Sequence, residues 1–162
     1  MKMKTKILST MLALFLFAAV SQAQDYKSAI GLRLGYPLSA TYKTFISDQA
    51  ALELVAGFKT FSGYSWFNVG GYYEVHKEIP SVAGLKWYYG AGANIYFWSF
   101  DSGFNGGSTT SIGLSGVLGL DYKFADAPLN ISVDWIPTFF LNGYGNGFAG
   151  GYGALAARYT IN

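Results

Sequence analysis

The sequence predicts an all-β protein, an eight-stranded antiparallel up-and-down transmembrane β-barrel. Three observations support this prediction: eight stretches in which apolar residues alternate with polar residues or glycine, a charged fraction of only 12%, and an aromatic fraction of 19%. Period-two alternation is typical of strands whose two faces meet different environments. Average chains carry roughly 25% charged residues, so a soluble domain of this composition would have little charge to cover its surface.

The first four alternating runs occupy the first half of the chain after its N-terminal segment. They are AIGLRLGY (29–36), SATYKTFI (39–46), ALELVAGFK (51–59) and WFNVGGYYEVH (66–76). Each has one apolar or aromatic face, as Leu32 and Leu34 illustrate in the first run. The second run is the weakest, because Thr44 interrupts its apolar face. Each run is predicted to be one strand.

The remaining four runs are longer. They are GLKWYYGAGANIYFW (84–98), SIGLSGVLGLDYKF (111–124), LNISVDWIPTFFL (129–141) and GGYGALAARYTI (150–161). Pro137 lies inside the seventh run, and proline cannot donate to a sheet ladder. It therefore predicts a bulge at that position or an earlier end of the strand.

The connectors between the runs alternate in character. Those after the second, fourth and sixth runs are compact (SDQ, EIPSVAG and ADAP), whereas those after the third, fifth and seventh are glycine-rich and generally longer (TFSGYS, SFDSGFNGGSTT and NGYGNGFA). The first connector, around Pro37, is short. This alternation predicts one barrel end with tight turns and one with long loops.

The charged strand residues all lie on the second face of the runs, and glycines accumulate on the same face. Nine of these residues are expected to form a salt-bridge and hydrogen-bond network that fills the lumen: Arg33, Lys43, Glu53, Glu74, Lys86, Asp121, Lys123, Asp134 and Arg158. The interior of an eight-stranded barrel barely holds its side chains, so the bulky aromatic face is predicted to point outward to lipid. The alternative for the charged face is a narrow gated ion path.

A spanning sheet must also close, because an unpaired backbone group in hydrocarbon costs several kcal/mol. Eight is the smallest usual strand number. Six aromatic residues near strand ends are interpreted as two interfacial girdles: Tyr36, Trp66, Trp87, Trp98, Tyr122 and Tyr159.

The N-terminus has the pattern of a secretory signal peptide, residues 1–23, cleaved after Ala23 and followed by the barrel domain, residues 24–162. A basic MKMKTK precedes a short apolar run, ILSTMLALFLFAAV, and then SQA. The alternative, a membrane anchor, would need about 20 apolar residues. The segment holds three lysines and no acid, so its removal changes the net charge from +2 to −1. The basic pI is therefore no argument for nucleic-acid binding.

With its signal peptide, alternating strands and final strand ALAARYTI, the chain resembles the small OmpA/OmpX-type outer-membrane barrels of Gram-negative bacteria. In this sequence the last aromatic residue, Tyr159, stands three positions before the end. The resemblance implies an outer-membrane location, periplasmic termini and extracellular glycine-rich connectors. It also implies contact with outer-membrane lipids, lipopolysaccharide and the barrel assembly machinery, and leaves any extracellular ligand unidentified.

No residue set in the sequence predicts catalysis, a cofactor or a metal site. There is no cysteine, and His76 is the sole histidine. We expect His76 to be partly solvated near the periplasmic end, with a catalytic base in a lipid-modifying barrel as the alternative. The G-x-G-x-x-G match at 145–150 is interpreted as a loop, because a dinucleotide site would need a helix after it.

Aromatic residues in or beside the long connectors are interpreted as membrane-interface anchors, or alternatively as a binding surface: Tyr64, Trp66, Phe100, Phe104, Tyr144 and Phe148. The expected function is that of a non-enzymatic integral barrel with a polar, filled lumen, contributing to envelope integrity or to surface interaction and adhesion. Three alternatives stay open: a small ion-conducting pore, a lipid-modifying enzyme, and a secreted soluble barrel that binds apolar ligands.

Overall fold

The computed structural model describes residues 26–101, 103, 107–143 and 146–162. The predicted signal peptide, residues 1–23, lies outside these ranges. The strands are β1 (Ser28–Tyr36), β2 (Leu38–Phe45), β3 (Ala50–Phe61), β4 (Tyr64–Glu78), β5 (Leu85–Phe100), β6 (Gly107–Lys123), β7 (Leu129–Trp135), β8 (Thr138–Phe140), β9 (Gly147–Ala149) and β10 (Gly153–Ile161).

The strands form one closed antiparallel sheet. Neighbours along the chain pair with one another from β1 to β7, and β10 pairs with both β7 and β1, which closes the barrel. β7 and β8 pair successively with β6 and together form the seventh strand of the wall, while β9 and β10 form the eighth. The predicted eight-stranded barrel is confirmed.

The seventh strand breaks at its proline, as predicted. β7 ends at Trp135 and β8 begins at Thr138, with Pro137 between them. Backbone hydrogen bonds to both neighbouring strands continue across the break. Gly116 N donates to the Pro137 carbonyl at 2.9 Å, and Ile136 N donates to the Tyr152 carbonyl at 2.9 Å. The wall therefore stays closed although the strand is interrupted.

The two ends of the barrel differ. The terminal end holds both ends of the described chain and the connectors 46–49, 79–84 and 124–128, and the loop end holds Pro37, the connector 62–63 and the described residues of 101–106 and 141–146. The prediction of a longer loop at TFSGYS is wrong, because β3 and β4 are joined by Ser62 and Gly63 alone. Gly63 has a φ of 101°, a conformation that glycine adopts without steric cost. The rings of Phe61 and Tyr64 stack with centroids 5.0 Å apart and extend the hairpin.

The outer surface of the barrel is largely apolar, and most charged strand residues point inward, as the alternation predicts; Lys77, at the terminal end of β4, lies on the outer face and donates to Gln49. Leu32 and Leu54 are 59% and 58% exposed, whereas Lys43 and Arg158 are fully buried. Alternate residues of a strand point to opposite faces, so each run places its apolar set outside. Within the described ranges, no helix is long and apolar enough to cross a membrane.

The predicted aromatic girdles are wrong at three positions. Trp66 and Trp98 are buried in the lumen, because they share the inward parity of Asn68 and Asn94 on their strands. Tyr36 ends β1, and its ring packs against Trp66 at 5.9 Å. Closeness to a strand end therefore did not decide where these rings point. Trp87 and Tyr159 do lie on the outer face, and Tyr122 is half-buried.

Candidate functional site in the filled lumen

Glu53 of β3 lies at the centre of the charged half of the lumen. Its Oε1 atom accepts hydrogen bonds from Arg33 Nη1 at 3.2 Å, from Arg158 Nη2 at 2.6 Å and from the Thr41 hydroxyl. Its Oε2 atom lies 3.3 Å from Lys43 Nζ. One carboxylate thus contacts three cations that come from β1, β2 and β10.

Arg33 connects this centre to a second carboxylate on the opposite wall. Its Nη2 atom lies 2.6 Å from Asp134 Oδ1 on β7. The other oxygen of Asp134 accepts from the Tyr88 hydroxyl at 2.9 Å, and Oδ1 also accepts from the backbone N of Ala154 at 3.3 Å. Asp134 is therefore held by side chains or backbone from β1, β5 and β10.

Arg158 is the cation on the last strand. Besides Glu53 it donates from Nη1 to Ser132 Oγ at 2.7 Å and to Asn130 Oδ1 at 3.2 Å, both on β7. Asn130 in turn donates to Asp121 Oδ1 at 2.6 Å. The guanidinium of Arg158 thus has hydrogen-bond acceptors on β3 and β7, as a buried charge requires.

Lys43 is the third buried cation of the cluster. Its Nζ lies 2.8 Å from Glu74, 3.3 Å from Glu53 and 3.7 Å from Asp121, and 4.3 Å from the centre of the Tyr88 ring. Lys43 therefore connects Glu74 and Asp121, the two carboxylates nearer the terminal end, to Glu53. Seven of the nine predicted lumen charges thus form one connected cluster.

The other two predicted lumen residues lie near the terminal end. Lys86 is half-buried, stands opposite Asp121 in the β5–β6 register, and places Nζ 5.8 Å from the centre of the Phe45 ring. Lys123 donates from Nζ to the carbonyls of Phe124 at 2.5 Å and Ala127 at 2.7 Å. Lys123 thereby stabilises the turn that follows β6.

His76 is buried, so the expectation of a partly solvated histidine is wrong. Its Nε2 lies 3.0 Å from Glu74 Oε2, and its ring is stacked on Tyr88 (4.8 Å, 15°) and packed against Phe45 at 4.9 Å. Period-two alternation places it inside, beyond the reach of solvent. Within the described ranges, no group of three histidine or carboxylate side chains is arranged to hold a metal ion.

A layer of amides and hydroxyls lies above the charged cluster. Asn94 is its centre, accepting from the Tyr72 hydroxyl at 2.8 Å and from Asn68 Nδ2 at 3.3 Å, and donating to Ser115 Oγ at 2.8 Å. Glycine makes room for it, because a Cβ at Gly70 would lie 1.9 Å from Asn94 Oδ1.

The loop half of the lumen is aromatic, which the prediction of a polar lumen missed. A cluster of rings, called here the aromatic plug, fills the cross-section: Tyr36, Trp66, Tyr96, Trp98, Phe140 and Tyr152. Neighbouring centroids lie 5.0 to 6.4 Å apart, for example 5.2 Å between Trp66 and Tyr96, within the range of favourable ring packing. The inward parity of Trp66, Tyr96 and Trp98 was the signal in the sequence.

Of the connector aromatics named from the sequence, several belong to this plug rather than to the membrane interface. Trp66 is a member of it, and Tyr64 and Phe100 pack against it. Phe148 on β9 is 70% exposed, and Phe104 and Tyr144 lie outside the described residues. In the G-x-G-x-x-G segment Gly147–Ala149 is a strand, with strand β10 after it.

Little space is left in the lumen. Between the charged cluster and the aromatic plug lies a cavity of about 20 Å³, bordered by Arg33, Ser39, Asn68 and Tyr96 among others. That volume is about enough for one water molecule. The described part of the lumen is therefore filled by ion pairs in one half and by rings in the other.

Comparisons with known proteins bear on the fold. A scan against protein-family models and a search of curated protein sequences found no match. Among solved structures, the chain is similar to the crystal structure of Neisserial surface protein A, with a TM-score of 0.57 and 16% sequence identity over 83% of this chain and 93% of that chain. That protein is an eight-stranded outer-membrane barrel, and the similarity confirms the fold class.

Proposed function

We propose that this chain is an integral outer-membrane β-barrel protein, non-enzymatic and closed to ion flow, which contributes to envelope integrity or to interactions at the cell surface. The observation that carries the proposal is the inverted distribution of residues in a closed sheet: charged side chains fill the interior, and large apolar side chains cover the exterior.

The exterior supports a lipid environment. Large apolar residues on all eight wall strands are exposed, including Leu32, Leu54, Leu114 and Phe139, whereas a soluble monomer rarely exposes an apolar patch larger than a few hundred Å². Closure of the sheet satisfies the backbone of the wall, which hydrocarbon requires.

The location within the envelope rests on the sequence and on the structural similarity. A cleaved signal peptide at residues 1–23 would export the chain. The terminal end would then face the periplasm, and the loop end would lie among lipopolysaccharide. The barrel assembly machinery would insert it, and any extracellular ligand would meet the loop end.

The filled lumen supports a closed barrel over a pore. An ion would have to pass both the aromatic plug and the cluster around Glu53, where the side chains are buried and paired. Catalysis by His76 is disfavoured because the imidazole lies between two rings and contacts Glu74 inside the barrel.

Membrane fractionation followed by unboiled and boiled gel electrophoresis tests the proposal. We expect the protein in the detergent-soluble membrane fraction, with an unboiled band that shifts on heating because the closed barrel stays folded in detergent. Planar bilayers with purified protein should show no steady conductance.

Solubility without detergent would contradict the membrane location. Conductance that changes on neutralising Arg33 or Glu53 would support the pore, and lipid turnover lost in His76→Ala would support the enzyme.

A further inference from the structure

The barrel closes where β1 meets β10, called here the seam. These are the first and last strands of the barrel, and they pair along their length from Ser28 opposite Ile161 to Tyr36 opposite Gly153. No covalent connection joins them locally, since β1 and β10 lie at opposite ends of the barrel sequence. The seam is consequently the strand pairing whose formation closes the longest loop of the chain.

The inner face of the seam is built from small residues and two arginines. β1 contributes Ala29, Gly31, Arg33 and Gly35, and β10 contributes Ala154, Ala156, Arg158 and Thr160. Small side chains bury little apolar area, so packing inside the lumen adds little to this strand pair. The two arginines are the long side chains that connect the seam to the rest of the interior.

Both arginines converge on one atom of a strand that is not part of the seam. Arg33 Nη1 and Arg158 Nη2 donate to Oε1 of Glu53 on β3, at 3.2 and 2.6 Å. Each also contacts β7: Arg33 binds Asp134 at 2.6 Å, and Arg158 donates to Ser132 at 2.7 Å.

We propose that Arg33, Arg158 and Glu53 form a seam lock, which holds β1 and β10 together from inside the barrel. Two guanidinium groups that share one carboxylate oxygen are favourable only while both terminal strands are in place. If the seam opens, at least one arginine leaves Glu53 and a buried charge loses its partner. Removing one partner of a buried ion pair costs about 3–5 kcal/mol, which is roughly 100-fold or more in an opening equilibrium.

Amide hydrogen exchange in detergent micelles tests the seam lock with the variant Glu53→Gln. The measured quantity is the exchange rate of β1 and β10 amides divided by that of β4 and β5 amides. We expect this ratio to be roughly 100-fold higher in Glu53→Gln than in the unmodified protein. Glu74→Gln is the matched control, because Glu74 is equally buried but contacts Lys43 and His76 rather than a seam residue. This control should leave the ratio between seam and β4–β5 exchange unchanged. Uniform acceleration in Glu53→Gln, or the same selective effect in Glu74→Gln, would overturn the proposal.

If Glu53→Gln does not fold, a disulfide experiment tests the seam lock instead. The chain has no cysteine, and Leu32 and Ala157 are directly opposite across the seam on the outer face, as Ala56 and Val69 are across β3–β4. Opposite residues of antiparallel strands are close enough for a disulfide. In the Glu53→Gln background, oxidised Leu32→Cys/Ala157→Cys should restore the unboiled folded band, and Ala56→Cys/Val69→Cys should not. Equal recovery with both disulfides, or recovery with neither, overturns the seam lock.

Discussion

At the scale of the residue, burial in this protein follows strand parity more closely than hydrophobicity. Trp66 and Arg158 are both buried, while Leu54 one position from Glu53 is exposed. A charged group inside the narrow lumen is tolerated because its partners are fixed, as Glu53 shows with its three cations. The same group on the outer face would meet hydrocarbon without a partner.

The variant Leu54→Lys tests this distinction. We expect a loss of about 2–4 kcal/mol in the free energy of unfolding, the cost of a lysine on the lipid face near the bilayer midplane. Denaturant unfolding in phospholipid vesicles measures it. Thr60→Lys is the matched control on the same face of β3 near the loop end, where the cost falls to about 0–1 kcal/mol. Similar losses for both variants would argue against a bilayer around this face.

At the scale of the element, the strands differ in what holds them to their neighbours. The long strands β4, β5 and β6 pair along 15 or more residues each, and rings pack between them on the inner face. β1 and β10 are shorter, with nine residues each, and depend on close backbone approach and on the seam lock. Gly31 permits that approach, because a Cβ there would lie 2.0 Å from the Ala157 carbonyl oxygen.

The variant Gly31→Ala should therefore destabilise the barrel. Overpacking against backbone typically costs about 1–3 kcal/mol, and the heating temperature at which the unboiled band disappears should fall accordingly. Gly151→Ala is the control, because a Cβ at Gly151 meets no atom within 4 Å. If both variants unfold at the same temperature, close packing at the seam is not limiting.

At the scale of the whole molecule, the barrel is an inside-out protein with a divided interior. Ion pairs occupy the half toward the terminal end and the aromatic plug occupies the other half, with a water-sized cavity between them. The four tryptophans report on this arrangement. Trp66 and Trp98 lie in the lumen, whereas Trp87 and Trp135 are 39% and 49% exposed on the outer face.

Quenching by brominated phospholipids tests the arrangement with four variants that each retain one tryptophan, the other three being replaced by phenylalanine. Fluorescence of Trp87 and Trp135 should be quenched, since their rings would contact acyl chains. Fluorescence of Trp66 and Trp98 should persist, since the wall separates them from lipid. Quenching of Trp66 with protection of Trp135 would mean that the faces have been assigned the wrong way round.

The sequence by itself predicted the strands and which residues share a face, because the period of two can be read within each run without knowing its neighbours. The alternation placed Arg33 on the face opposite Leu32 and Leu34, and the bulk of the aromatic face, too large for the interior of an eight-stranded barrel, placed the arginine inside. The break at Pro137 was equally readable, because a missing N–H is a property of one residue.

Only the tertiary structure decided which charges meet and how the lumen is divided. Arg158 and Glu53 are separated by 105 positions, and their contact depends on register and closure, which no local pattern encodes. The ring of Tyr36 does not point outward as expected, because β1 ends at this residue and the ring turns onto Trp66. The position of a side chain along the barrel axis is set by pairing across all eight strands, so the plug and the seam lock emerge only when the sheet closes.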